Sequence, residues 1–359
     1  MKTFKLFILT ALAVTSAGSA TGAEPSGYYD SCKGKSGAAL LTALCNKISS
    51  HTTVSYNGLW DLYRSSDVDD NGKIWDMYST KRWNAGEKCG SYSKVGDCYN
   101  REHSLPKSWF DDASPMYSEA YHIYPTDGKV NGQRSNYPFG ECENGTTLSS
   151  SNGVKALGRL GKSTFPGYSG TVFEPDDQYK GDFARSYFYM AACYNDRISS
   201  WHSDAMAGNK YPAFKEWTVN LLLKWHREDP VSKKELDRNE AVAKRQNNRN
   251  PFIDHPELAE HIWGNKKTTP WNGDSSAPET ASFVRPSNGQ TVDLGRATLN
   301  NAVSTAVSVS GKGFTSNVSA TVSGAGFSVS PASLSASAVN AGTSVTVTYR
   351  PTAASQTSA

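Results

Sequence analysis

Asn100-Arg101-Glu102-His103-Ser104-Leu105-Pro106 sets a carboxylate directly before an imidazole. Consecutive side chains of a regular strand point to opposite faces, so Glu102 and His103 cannot share one face. At a strand end or a bulge they diverge, and one can bind a metal while the other faces a water. Alone, such a pair fits structure as well as catalysis, so its weight comes from its surroundings. Downstream, Tyr121-His122-Ile123-Tyr124-Pro125-Thr126-Asp127-Gly128-Lys129-Val130-Asn131-Gly132-Gln133-Arg134-Ser135-Asn136-Tyr137-Pro138 is too rich in Asn, Arg and Gly to be core.

Further out lie Gly181-Asp182-Phe183-Ala184-Arg185 with Phe188-Tyr189-Met190, then Trp225-His226 with Asp229-Pro230-Val231, then Asn248-Arg249-Asn250-Pro251-Phe252-Ile253-Asp254-His255-Pro256. In this order, over roughly residues 30–265, the set resembles the bacterial endonuclease I family. These are secreted and periplasmic non-specific nucleases with a ββα-metal active site. The resemblance implies that His103 is the general base activating the attacking water. It implies that Glu102, near a strand of the ββα unit, and Asn131, on its helix, hold one catalytic Mg²⁺, for which Ca²⁺ or Mn²⁺ can substitute. The chemistry agrees: Mg²⁺ is hard, prefers oxygen, and keeps several waters beside one or two carboxylates. An imidazole suits proton abstraction near neutral pH. One departure stands out. The family carries a longer insertion with a phosphate-binding Arg between the Glu-His pair and the metal Asn, whereas only 28 positions separate His103 from Asn131 here. Arg134 and Arg101 are the candidates for meeting transition-state charge in its place, since the guanidinium fork matches phosphate. His122 and Asp127 could orient His103 or the metal waters, or serve structure alone.

The expected activity is hydrolysis of phosphodiester bonds in DNA, with RNA left open, to give 5′-phosphates. Contacts mainly to the backbone would give little sequence preference. A monomer with no membrane insertion is expected. Two other classes remain: a metal-dependent phosphoesterase acting on small substrates, and a non-catalytic surface adhesion protein.

The start, Met1-Lys2-Thr3-Phe4-Lys5, then an apolar run from Leu6 to Val14 and small residues to Ala23, reads as a signal peptide over 1–23. A secreted or periplasmic location follows. In that oxidising compartment the six cysteines, Cys32, Cys45, Cys89, Cys98, Cys142 and Cys193, default to disulfides. Sequence proximity suggests Cys32–Cys45 and Cys89–Cys98, leaving Cys142–Cys193. A zinc site is the rival, weakened by the lack of any CxxC. The formal charge is +3. Lys2 and Lys5 lie in the leader, and four basic residues against two acidic ones follow Asp274, which leaves the central region near −1. Bulk charge therefore gives no support for nucleic-acid binding, and any basic footprint must be local.

All nine Trp, six Cys and seven His precede Ser275. After it, Val345, Val347 and Tyr349 alternate with Ser344, Thr346 and Thr348, a period-two strand pattern. The expected fold is α+β: a ββα-metal nuclease domain over 24–274, joined near 272–278 to a small all-β immunoglobulin-like sandwich over 275–359. The chain stops where another strand is expected, so the sandwich can be incomplete; a Ser/Thr-rich tail is the alternative. Within the main domain, Leu40–Ile48, Trp60–Tyr63, Gly181–Tyr194 and Tyr211–His226 read as helical. Asn71-Gly72 is a hairpin signal, outweighing the calcium-loop likeness of Asp67 to Gly72. Ser232 with Glu235 is a capping box opening a helix from Lys233 to about Gln246. Arg238, Lys244, Arg245 and Arg249 form either a phosphate track or a solvated helix face. Trp75, Trp83 and Trp109 read as core.

Overall fold

The computed structural model describes residues 24–149, 153–273, 282–286, 291–314 and 317–352. The leader expected over 1–23 and most of the expected linker lie outside these residues. The described residues fall into two compact units, one within 20–275 and one within 276–359.

In the first unit, helix α1 (Gly37–Ile48) buries Leu40, Leu41, Leu44 and Ile48, the spacing of one helical face. Helix α2 (Leu59–Ser66) buries Leu59, Leu62 and Tyr63 in the same way. The chain then turns at Asn71-Gly72. The Asp69 carboxylate accepts from the amides of Asn71 and Lys73, and Gly72 takes the left-handed conformation, φ +70°, that glycine allows without steric cost. This is a hairpin turn. Asp67, read as the first calcium-loop position, is instead bonded to Arg238 at 3.0 Å. Strands β1 (Ile74–Trp75) and β2 (Arg82–Trp83) follow as an antiparallel pair.

The strands that matter most are β3 (Tyr99–His103) and β4 (Ile123–Asp127). They pair antiparallel, Tyr99 opposite Asp127 and His103 opposite Ile123. β4 runs directly into helix α3 (Gly128–Arg134). The Asp127 carboxylate caps that helix, accepting from the amides of Lys129 and Val130, two donors a helix start leaves unpaired. Strand, strand and helix thus follow in the expected order.

Strands β5 (Arg159–Lys162) and β6 (Thr171–Glu174) form a second hairpin. Helix α4 (Lys180–Cys193) is buried along its whole length. Helix α5 (Glu216–Glu228) starts later than the aromatic run from Tyr211 suggests, because Ala213 has φ +73° and breaks helical geometry. Helix α6 (Lys233–Gln246) has both halves of its capping box, Ser232 to Glu235 and back. Helices α7 (Pro251–Asp254) and α8 (Leu258–Ile262) complete the unit.

Several of the ordered motifs turn out to be the polar interior that joins these helices. Arg185 on α4 donates to Glu235 at 2.8 Å and to the Asp229 carbonyl at 2.9 Å. Asn250 reaches the Arg185 carbonyl, and Asn248 donates to the Tyr189 hydroxyl at 2.7 Å. The reading of Arg238 and Arg249 as a phosphate track is overturned. Arg238 is buried against Asp67 and the carbonyls of Ala120 and Ile123, and Arg249 is paired with Glu240 and Asp254.

In the second unit, strands β7 (Ser282–Arg285), β8 (Val303–Lys312), β10 (Phe327–Ser330) and β12 (Thr343–Tyr349) form an antiparallel sheet in the order β10-β12-β8-β7. Strands β9 (Val318–Ser319) and β11 (Ser333–Leu334) pair separately, and a short helix α9 (Ala336–Ala341) precedes β12. Val307, Val309, Val345, Val347, Leu334 and Val339 make its core. Alternation along β12 produces that core: Val345, Val347 and Tyr349 are buried while Ser344 and Thr346 are exposed.

Candidate active site

Strand β3 divides its residues between two faces, as strand geometry requires. Asn100 and Glu102 meet α3. Tyr99, Arg101 and His103 meet the aromatic side chains around α2. On the α3 face, the Asn131 amide nitrogen donates to the Asn100 side-chain oxygen at 2.8 Å, which leaves the Asn131 Oδ1 turned elsewhere. Glu102 is 2 % exposed. Its Oε1 accepts from the Tyr78 hydroxyl at 2.9 Å and from Arg134 at 2.8 Å, while its Oε2 has no protein hydrogen bond among the described residues. Burial raises the Glu102 carboxyl to about 7, against the pull of the Arg134 charge.

On the other face, His103 ends the strand. Its Nε2 lies 3.0 Å from the Tyr117 carbonyl. A carbonyl cannot donate, so Nε2 carries the hydrogen, and Nδ1 is left with its lone pair. No protein group among the described residues bonds that Nδ1. Burial holds the imidazole down at about 4, so it is neutral at physiological pH and can accept a proton. Tyr56 stacks on His103, with ring centroids 5.8 Å apart, and Tyr117 lies against both rings.

The two arginine candidates differ. Arg134 is 1 % exposed and donates to Glu102, the His103 carbonyl and the Ser104 carbonyl. Against the expectation that it meets phosphate, its terminal nitrogens are committed inside the protein, where it ties β3 to α3, while its buried Nε has no partner among the described residues. Arg101 is half-buried. It lies 3.5 Å over the Tyr56 ring and 4.3 Å over the Trp60 ring, on the His103 face of β3. One of its terminal nitrogens is bonded to the Tyr56 carbonyl and Asn57; Nε and the other terminal nitrogen have no partner among the described residues.

The contacts of His122 and Asp127 are with the protein interior. Asp127 caps α3 and also accepts from the Gly96 amide at 2.7 Å. His122 is fully buried, bonded through Nε2 to the Met116 carbonyl at 2.9 Å, and touches His103 only ring to ring at 5.5 Å. Sequence reading missed Tyr78, Tyr56 and Tyr117. Tyr117 works through its backbone carbonyl, which no side-chain pattern announces, and Tyr78 lies in a separate hairpin.

The cysteine pairing needs correction. Cys89 and Cys98 form a disulfide, Cα atoms 5.7 Å apart. Cys32, Cys45, Cys142 and Cys193 are buried free thiols. Cys142 sits beside the Arg159 carbonyl of β5, whereas Cys193 ends α4 beside the Ile48 carbonyl of α1, and the two thiols are not bridged. This disulfide closes the loop carrying Tyr92, whose ring would meet a Cβ at Gly128 at 2.5 Å and whose hydroxyl would meet one at Gly132 at 2.5 Å; the loop therefore packs on the helix that presents Asn131. Replacing Cys89 and Cys98 with Ser should cost about 2–3 kcal/mol by loop-closure entropy. Denaturant unfolding of the double variant checks this, and an unchanged midpoint would show that the loop does not brace the fold.

A bare imidazole nitrogen thus lies on one side of the strand end, and unspent carboxylate and amide oxygens lie on the other. The chain belongs to the Endonuclease I family, whose model matches residues 36–257. It is similar to proteins named extracellular ribonuclease. That of Bacillus amyloliquefaciens is 38% identical over 247 residues, 67% of this chain and 79% of the relative. That of Bacillus subtilis (strain 168) is 35% identical over 248 residues, 67% of this chain and 80% of the relative. An extracellular deoxyribonuclease of Aeromonas hydrophila is 26% identical over 144 residues, 40% of this chain and 52% of the relative.

Proposed function

We propose that this protein is a secreted, Mg²⁺-dependent endonuclease that hydrolyses the phosphodiester bonds of RNA and DNA with little sequence preference. The observation that carries the reading is the His103–Tyr117 hydrogen bond, which orients the imidazole and leaves Nδ1 bare at the end of β3. His103 Nδ1 takes a proton from the attacking water; the new bond forms from that water to phosphorus, the bond to the 3′ oxygen breaks, and a 5′-phosphate remains. The donor set fits Mg²⁺, because both unspent atoms are hard oxygens: Glu102 Oε2 and Asn131 Oδ1 would hold it. When bound, the ion supplies polarisation of the phosphate and stabilisation of the leaving oxygen. Arg101, with donors to spare on the His103 face, receives phosphate charge, and Arg134 keeps Glu102 in place.

The names of the relatives support secretion and favour RNA as a substrate alongside DNA. Among the described residues no helix is long and apolar enough to cross a membrane. The C-terminal unit, read as an immunoglobulin-like module, carries none of the proposed catalytic groups. Protein truncated after Gly273 should therefore keep nearly full turnover; a large loss in a folded truncation would place part of the site beyond Gly273.

Digestion of plasmid and of unstructured RNA, each with Mg²⁺ and then with EDTA, tests the proposal. Cleavage of both substrates that stops with EDTA is expected. Cleavage that persists without metal, or no cleavage of either polymer beside hydrolysis of a small phosphodiester, would reject it.

A further inference from the structure

A second cluster of ligand-type side chains lies away from Glu102 and Asn131. His51 follows α1, Glu119 precedes β4, and Cys193 ends α4. Their ligand atoms all lie within 4.8 Å of one another. The side chains of His51 and Glu119 are 2% and 0% exposed, and Cys193 is fully buried. His51 Nδ1 lies 3.3 Å from the Thr52 carbonyl, and its Nε2 lies 3.3 Å from both the Glu119 carboxylate and the Tyr194 hydroxyl. Glu119 is held from behind: Oε1 accepts from Gln246 at 2.7 Å and from the Tyr121 amide at 3.1 Å, and Oε2 accepts from the Tyr194 hydroxyl at 2.8 Å. Among the described residues no Lys or Arg pairs with this carboxylate.

A carboxylate, an imidazole and a thiol thus meet at one buried point, with no Lys or Arg among the described residues against the carboxylate. We infer that His51, Glu119 and Cys193 form a second metal site that takes Zn²⁺ or a cation of similar softness, and not Mg²⁺. Thiolate and imidazole select Zn²⁺ over Mg²⁺. One dication against one carboxylate and one thiolate leaves the buried site neutral. Binding displaces the Cys193 proton to solvent; without metal, burial keeps the thiol protonated. The orienting contacts on His51 and Glu119 are those that tune metal ligands elsewhere. Its position gives the site a purpose. Glu119 is two residues from Tyr117, whose carbonyl orients His103, so a metal bound here would brace the β3–β4 connection from α1 and α4.

The test uses the full chain, stripped with EDTA, dialysed and titrated with Co²⁺ as a spectroscopic probe, then with Zn²⁺. Expected are a thiolate-to-cobalt charge-transfer band saturating at one equivalent, its loss on adding Zn²⁺, and its persistence in excess Mg²⁺. The band should vanish in Cys193→Ser and remain in Glu102→Gln and Asn131→Ala, which separates this site from the proposed catalytic one. Zn²⁺ should raise the melting temperature of the wild type and not that of His51→Gln. Absence of the band, a band that survives Cys193→Ser, or non-reducing mass analysis showing Cys193 bridged to another cysteine would overturn the inference.

Discussion

His103→Ala should lower turnover on DNA and RNA by about 10²–10⁴-fold, the usual cost of losing a general base. The Tyr117 carbonyl fixes the tautomer so that Nδ1 is the basic atom, and no other imidazole on the His103 face can stand in. His122 is fully buried behind the ring with its Nε2 committed to Met116. Affinity for Mg²⁺ should stay near wild type, because Glu102 and Asn131 lie on the opposite face of β3. Nucleic-acid binding, measured in Ca²⁺ to suppress cleavage, should also survive, since phosphate contacts supply most of it. A variant that cleaves at near wild-type rate would remove His103 from the chemistry. One that loses metal would make His103 a ligand.

Arg134→Met should unfold at a clearly lower temperature. Arg134 and Glu102 are 1% and 3% exposed at their side chains and 2.8 Å apart, so solvent screens little of their interaction. Removing one partner of a buried pair leaves the other uncompensated and costs about 3–5 kcal/mol. Two backbone carbonyls, of His103 and Ser104, lose their donor as well. At this domain size each kcal/mol lowers Tm by about 2–4 °C. Arg134→Lys should recover only part of the loss, because an ammonium cannot reproduce the planar fork. If Arg134→Met melts with the wild type while catalysis falls, Arg134 would have to reach the substrate after all.

The motif pair around Glu102 and Asn131 falls on a strand and a helix as expected, because short-range patterns carry their own physics. Adjacent Glu102 and His103 had to diverge at a strand end, and β3 does end at His103. The Ser232–Glu235 box opened α6 where expected, and Asn71-Gly72 made its turn. What sequence could not show was burial. Arg134, Arg238 and Arg249 read as surface cations, yet each is committed to a carboxylate, Arg134 and Arg238 to one from a distant segment and Arg249 to near neighbours. The same blindness affected the cysteines: proximity paired Cys89 with Cys98 correctly, but tertiary packing keeps Cys142 and Cys193 apart. The ordered motifs identified the family, although many of their residues serve the polar interior and not the chemistry.

A Mg²⁺ titration of cleavage, comparing wild type with Asn131→Ala and Glu102→Gln, tests the central claim most directly. If Asn131 Oδ1 and Glu102 Oε2 hold the ion, both variants should need far more Mg²⁺ for half-maximal rate, with Asn131→Ala recovering part of its activity at high metal. Variants that fold, yet titrate with Mg²⁺ as the wild type does, would contradict the claim and place the catalytic metal elsewhere.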